Sequence, residues 1–230
     1  MNAARIYNVD SLEAMRDIPA GYVDAIVTDP PWNVVGLDLG WLGIHWWRKI
    51  VYEMERIVGD KGKIIIHLGS RTDPRPFIES FSLPFIHLCF LRYSVPRYRG
   101  NILDNGDVLY QFGRGFLPSG SRVLPQLHTA VTGAEKPKID WHPCPRALAH
   151  VDWIIRTQVG SGRVVFDPFL GAGTTGVAAV KNGCEFIGFE MMPEWATRAR
   201  ERIEAAEMGL TVCEVRGGQE SMFPTHTQEA

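Results

Sequence analysis

The sequence predicts an α/β protein on a mostly parallel, doubly wound sheet, from three observations. Short β-branched runs alternate with segments of helical period at both ends of the chain. The runs stop at proline or glycine turns, as strands feeding helices do. The 230 residues are 45% hydrophobic, enough to cover both faces of such a sheet.

Arg5 to Asn8 reads as a short strand. Ser11 to Arg16 reads as one amphipathic turn with Leu12 and Met15 inward. Val23 to Val27 is a strand stopped by Asp29-Pro30-Pro31, because consecutive prolines cannot continue a central ladder. Trp46, Trp47, Ile50, Val51, Met54, Ile57 and Val58 keep helical spacing over His45 to Val58, and Gly59-Asp60-Lys61-Gly62 turns into the strand Lys63 to Leu68. Phe85 to Ser94 and Val108 to Phe112 read as strands within an irregular middle region. Regularity resumes with a helix over Arg146 to Gln158, a strand Arg163 to Phe166, a helix Thr174 to Asn182 and a strand Glu185 to Phe189. Pro193 opens a helix to about Glu207, and Thr211 to Val215 reads as a last strand before a polar tail.

Charge and composition exclude several classes. Twenty-four Lys and Arg against 26 Asp and Glu leave a net −2, so the chain is not a globally basic nucleic-acid binder. No apolar leader or membrane-length run is present, and the four cysteines, Cys89, Cys144, Cys184 and Cys213, are scattered. These features fit a reducing cytoplasm and no zinc site. One region departs from the average. Between Arg92 and Arg146 eight cations face four anions, with Tyr93, Tyr98, Tyr110, Phe112 and Phe116 among them. Such an insert suits a nucleic-acid surface, with Arg97, Arg99, Arg114 and Arg122 as phosphate candidates, although an ordinary solvated loop region explains it as well.

Two constellations could carry chemistry. Phe166-Asp167-Pro168-Phe169-Leu170-Gly171-Ala172-Gly173-Thr174-Thr175-Gly176 is a strand, a glycine turn and a helix start, which lets backbone N–H groups approach an anionic end of a ligand. Glu190 ends the next strand, where a carboxylate can accept from two ribose hydroxyls. A purely structural glycine turn accounts equally well for the glycines alone. Asp29-Pro30-Pro31-Trp32 places a carboxylate, a fixed carbonyl and a flat ring at a strand end. That set suits an exocyclic amino group on a planar base, and a strand-ending turn with a core tryptophan is its plain alternative.

Taken together, the D-P-P-W and F-x-G-x-G motifs resemble those of the S-adenosylmethionine-dependent amino-group DNA methyltransferases. The order, with the catalytic motif before the cofactor loop, resembles the permuted beta group. Asn8-Val9-Asp10-Ser11-Leu12-Glu13, Trp141-His142-Pro143-Cys144-Pro145-Arg146 and Ile187-Gly188-Phe189-Glu190 resemble further family segments, so that the likeness covers residues 5–70 and 140–205. Trp32 stands for a commoner tyrosine, and Arg146 for a usual lysine.

The resemblance implies a Rossmann-like methyltransferase fold, mostly parallel and doubly wound with one antiparallel hairpin and circularly permuted motifs. It implies one methyltransferase domain over 1–230, with a catalytic half 1–90, a target-recognition insert of about 91–139, a cofactor half 140–216 and a tail 217–230. Homodimers are common in the family. Asp29, Pro30, Pro31 and Trp32 would act on a flipped base in double-stranded DNA, adenine in preference to cytosine because Asp29 is not a serine. Asp167 would meet the methionine ammonium of S-adenosylmethionine, Thr174 and Thr175 its carboxylate, Glu190 the ribose and Asp10 the adenosine side. His142, Arg146, Phe169, Gly171, Gly173 and Asp29 itself would complete the cofactor site. An RNA adenine methyltransferase usually lacks so complete a glycine loop. A nicotinamide dehydrogenase or a non-catalytic DNA-binding module leaves Asp29-Pro30-Pro31-Trp32 unexplained. The cysteine of a cytosine-carbon enzyme and the motifs of a zinc deaminase do not fall where those chemistries need them.

Overall fold

The computed structural model describes residues 4–31, 41–69, 72–114, 125–130 and 139–216. Among the described residues eight strands form one sheet: β1 (Ala4–Asn8), β2 (Ala25–Thr28), β3 (Lys63–Gly69), β4 (Phe85–Arg99), β5 (Ile102–Gly113), β6 (Leu127–Ala130), β7 (Val164–Asp167) and β8 (Glu185–Glu190). Their order is β1-β8-β7-β2-β3-β5-β4-β6, and β5 alone runs against its neighbours, paired to both β3 and β4. The expected α/β class, parallel sheet and antiparallel hairpin are all present. The helices are α1 (Ser11–Ala14), α2 (Trp41–Val58), α3 (Arg75–Ile78), α4 (Leu148–Ile154), α5 (Thr174–Lys181), α6 (Pro193–Glu207) and α7 (Val212–Arg216).

Strand alternation divides the core between two faces. Ile64, Ile66 and Leu68 of β3 point with Phe166 to one face, where Trp47, Ile50, Val51, Met54, Ile57 and Val58 of α2 cover them. Trp47 also satisfies its indole N–H on the Phe77 carbonyl at 3.1 Å. Ala25, Val27, Ile65, Val165 and Phe186 point the other way, to Val151 and Ile154 of α4, Ala178 of α5 and Ile203 of α6. No helix of the described residues is long and apolar enough to cross a membrane.

Several boundaries differ from the sequence reading. The segment Thr211 to Val215 is not a strand; it forms α7, opened by Thr211, whose hydroxyl accepts from the Glu214 N–H while Glu214 accepts from the Thr211 N–H. The helix expected over Arg146 to Gln158 starts at Leu148 and ends in a π-turn at Ile155–Val159. The middle region is more ordered than its composition suggests. Residues 85–113 form one long hairpin whose tip passes beyond the Gly69 end of β3, where β4 and β5 pair with each other from Arg97↔Asp104 to Arg99↔Ile102.

One buried charge carries a pH prediction. Lys63 is fully buried, donates to the Gln158 carbonyl at 2.8 Å, and is pushed down to about 8 by burial. An unfolded lysine titrates near ~10.4. Between those values the unfolded chain binds a proton that the folded chain lacks, so stability rises with pH in that window. Denaturant titrations should show that rise in the wild type and not in Lys63→Met.

Candidate active site

The strand connections reverse direction between β7 and β2: β7 continues through α5 to β8 on one side, and β2 through α2 to β3 on the other. Open α/β sheets place ligands in the crevice at the carboxyl ends of such a switch. Here those two strands end at Asp167 and Thr28, and the Thr28 hydroxyl donates to Asp167 Oδ1 at 2.7 Å. The turn with Asp29 and the turn with Thr174, 145 residues apart in sequence, therefore share one crevice.

Asp167 is the most buried acid of the site. It accepts from the Thr28 hydroxyl, the Phe169 N–H at 3.0 Å and the Thr175 hydroxyl, all neutral donors. Burial pushes its carboxyl up to about 6 against the pull of those bonds, and nearby Asp29 adds to the rise. A buried carboxylate with neutral partners suits a cation.

The glycine loop follows. Gly171 and Gly173 have φ of +50° and +78°, and Gly173 caps α5 in the left-handed region that favours glycine. A Cβ on Gly173 would lie 3.0 Å from the Ala199 Cβ, so α6 packs directly on the loop. Thr174 and Thr175 are buried in the first turn of α5, where backbone N–H groups have no partner within the helix. The Thr174 hydroxyl accepts from Arg202 at 3.0 Å and lies 3.4 Å from the Arg146 carbonyl, so it holds the loop together. Glu190 is buried at the end of β8. Its two oxygens accept the Gly171 N–H at 2.8 Å and the Met192 N–H at 2.9 Å, which aims the carboxylate along the crevice rim. Asp10, exposed past β1, caps α1 by accepting the Glu13 N–H at 3.1 Å. Ser11 beside it donates to the Pro168 carbonyl and ties that end to the loop.

His142 leans over Gly171. Its Nδ1 accepts the Cys144 N–H at 3.2 Å, its ring meets Trp195 at 4.6 Å, and its Nε2 would lie 3.0 Å from a Cβ on Gly171. Burial lowers its pKa; the Asp29 charge opposes that and the Arg146 charge adds to it. Phe169 lies against Trp46 of α2, ring centroids 5.7 Å apart.

Arg146 meets the glycine loop through its backbone, whose carbonyl lies 3.4 Å from the Thr174 hydroxyl, while its guanidinium is engaged with acids. Nε donates to Asp29 Oδ2 at 2.5 Å, Nη2 to Asp29 Oδ1 at 3.0 Å, and Nη1 to Asp107 Oδ2 at 3.1 Å. The planar fork spans both carboxylates, which a lysine ammonium could not do in two parallel bonds. Burial disfavours the Arg146 charge, but Asp29 and then Asp107 raise its pKa above the ordinary value. Asp107 also accepts from His67 Nε2 at 2.9 Å and from the Tyr93 hydroxyl. Burial pushes Asp107 up, and the bonds and charges of His67 and Arg146 outweigh it, holding the acid well below the carboxylate range. Pro30 is buried and Pro31 half-buried beside Asp29.

The basic candidates separate. The backbone of Arg97 and Arg99 lies in the part of β4 that overhangs the site end of the sheet, paired with Asp104 and Ile102. Arg114 does not join them. It follows Gly113, which pairs with Lys63 at the opposite end of β3, and it contacts Asp60 at 3.4 Å. Six residues of strand, about 20 Å, separate that end from Asp107. Arg114 therefore lies away from the crevice. Trp32 and Arg122, and the side chains of Arg97 and Arg99, lie outside the described residues.

Sequence reasoning missed Asp107, His67, Tyr93, Thr28 and Arg202. The signal was present: Asp107-x-Leu109-x-Gln111 and Lys63-x-Ile65-x-His67 are core-facing stripes interrupted by polar groups, and such interruptions need partners. Arg202 likewise lies on the buried face of α6 between Ala199 and Ile203, donating to the Ala172 carbonyl at 2.8 Å. Among the described residues no group of three or more His, Cys, Asp or Glu side chains could hold a metal ion.

Residues 121–201 match the sequence model of the N6/N4-type DNA methylase family. The chain is 24% identical to the DNA adenine methyltransferase YhdJ of Escherichia coli K12, over 89% of this chain and 84% of that protein. The fold is shared with the M1.HpyAVI complex with S-adenosylmethionine (TM-score 0.69, 24% identity, 87% of this chain and 99% of that one). It is also shared with the cytosine-N4-specific PvuII DNA methyltransferase (TM-score 0.71, 17% identity, 86% and 85%). Motif order, sheet topology and the match over residues 121–201 make this chain similar to the amino-group DNA methylases.

Proposed function

We propose that the protein is an S-adenosylmethionine-dependent DNA methyltransferase acting on the exocyclic amino group of adenine. The observation that carries the reading is the bond between Thr28 and Asp167, which puts an amino-group acceptor and a cofactor-binding turn in one crevice. The residues present fit the cofactor. Asp167, buried among neutral donors, suits an ammonium, the first turn of α5 suits a carboxylate, and Glu190 at the rim suits ribose hydroxyls. S-adenosylmethionine supplies an electrophilic methyl group on a sulfonium centre.

The chain's own groups do the rest. Asp29 and the Pro30 carbonyl accept the amino N–H bonds, which draws the nitrogen lone pair out of conjugation with the ring and fixes its direction. A carboxylate has about four lone-pair positions; the Arg146 fork takes two of them and orients Asp29. A base stacked in a duplex is out of reach of a strand-end crevice, so double-stranded substrate would present it flipped out, with Trp32 as its stacking partner. An aspartate in place of a serine at position 29 favours adenine over cytosine.

Two measurements test this. Incubation with methyl-labelled cofactor and unmethylated DNA, followed by nucleoside mass spectrometry, should yield N6-methyladenine. N4-methylcytosine would overturn the choice of base, and unlabelled DNA the reaction. The second is the pH dependence of cofactor affinity. Asp167 must be ionised to pair with an ammonium, and its carboxyl takes a proton below about 6. Calorimetric affinity for S-adenosylhomocysteine should be flat at neutral pH and fall about tenfold per unit below that value. An Asp167→Asn protein should bind weakly and lack the slope.

A further inference from the structure

We propose that Asp107 is a positioning residue for methyl transfer: it holds Arg146 so that the fork presents both Asp29 oxygens in one orientation, and His67 and Tyr93 in turn fix Asp107. The inference rests on the reaction proposed above. Its basis is one connected set of side chains drawn from four neighbouring strands and one loop. Asp29 follows β2, His67 is on β3, Asp107 on β5, Tyr93 on β4, and Arg146 lies just before α4. The guanidinium is held from two sides, by Asp29 on its Nε–Nη2 edge and by Asp107 on Nη1. Its side chain is 13% exposed and that of Asp107 8%, so solvent screens the contact little.

The need for such a device is geometric. A carboxylate on a short turn after a strand has a free torsion, and an amino group must meet its oxygens at a set angle before its lone pair points at the methyl group. A single Arg–Asp pair can pivot together about their contact. A second carboxylate on the far edge of the fork removes that pivot. The His67 and Tyr93 bonds to Asp107 Oδ2 anchor the second carboxylate to β3, paired with β5 through Leu68↔Val108 and Gly69↔Asp107, and to β4, where Tyr93 follows the Arg92↔Gly106 pair and itself pairs with Ala130 of β6. Asp107 thus acts through Arg146 and touches neither base nor cofactor.

The test is a double-mutant comparison in the full chain. Asp107→Asn keeps shape and loses charge. It should lower kcat on the order of 10²-fold, with the KM for DNA and the affinity for S-adenosylhomocysteine little changed. In an Arg146→Gln background the same change should have almost no further effect, because the residue it acts through is gone. Tyr93→Phe removes one bond to Asp107, keeps the ring beside His150, and should lower kcat about tenfold. It serves where Asp107→Asn folds poorly. Unchanged kcat in Tyr93→Phe and Asp107→Asn, or equal losses from Asp107→Asn in both backgrounds, would overturn the role. Full methyl transfer by Asp29→Ala would instead overturn the underlying reaction, and the role of Asp107 with it.

Discussion

Asp29→Ala is expected to lose methyl transfer while retaining the cofactor. Removing a group that stabilises charge or orientation only as the reaction proceeds typically costs on the order of 10²–10³-fold in kcat. In the proposed reaction Asp29 meets the base and Asp167 the cofactor, so S-adenosylhomocysteine affinity should persist. The substitution also removes both Asp29 bonds from the Arg146 fork while its bond to Asp107 stays, and loss of charged hydrogen bonds costs about 2 kcal/mol. Single-turnover kinetics well below the melting midpoint, with far-ultraviolet dichroism as a control, separates a chemical defect from an unfolded one. Asp29→Asn is the sharper variant. It retains one acceptor oxygen but turns an NH₂ group toward the Arg146 fork, so it should be nearly as inactive. Normal transfer by either folded variant contradicts the role.

Gly173→Asp should have the converse effect, abolishing cofactor binding. At φ +78° an aspartate pays backbone strain of roughly 1–3 kcal/mol. Its Cβ would lie 3.0 Å from the Ala199 Cβ and 3.2 Å from its Cα, forcing α6 away from the loop. The new carboxylate would also compete for the first-turn N–H groups of α5. Gly173→Ala carries the steric part alone and should weaken binding less. Equal calorimetric affinity for wild type and Gly173→Asp would show that the loop is a structural turn and holds no ligand.

The fold was legible where period and punctuation agree. The apolar face of α2, the run Lys63 to Leu68, the glycine turn before α5 and the proline opening α6 each combine a hydrophobic period with a stop or start residue. The reading failed where neighbours decide. Thr211 to Val215 alternates like a strand, but no strand lies beside it, and a Thr–Glu cap turns it into α7. The hairpin β4–β5 is longer than its apolar stretches because Arg97–Arg99 and Ile102–Asp104 pair with each other past the end of β3.

The site divides in the same way. Its strand-end residues follow from short motifs, since a turn geometry needs only local sequence. The network around Arg146 does not. Asp29, Asp107 and Arg146 meet only because β2, β5 and the segment before α4 are brought together by sheet order. A sequence with a cation where the family usually has lysine suggested a cofactor contact, whereas the planar fork found two carboxylates. The position of Arg114 was hidden for a related reason. Net charge over a segment does not report which end of a sheet each residue occupies, and β5 carries this one to the far end.

The central claim is that the cofactor lies between the carboxyl ends of β7 and β2, with its methionine end at Asp167. A crystal structure of the protein with S-adenosylhomocysteine tests it most directly. The account predicts the ammonium within hydrogen-bond distance of Asp167, the ribose at Glu190, and the sulfur facing Asp29. Ligand bound elsewhere, or in the crevice with the sulfur turned away from Asp29, would contradict it.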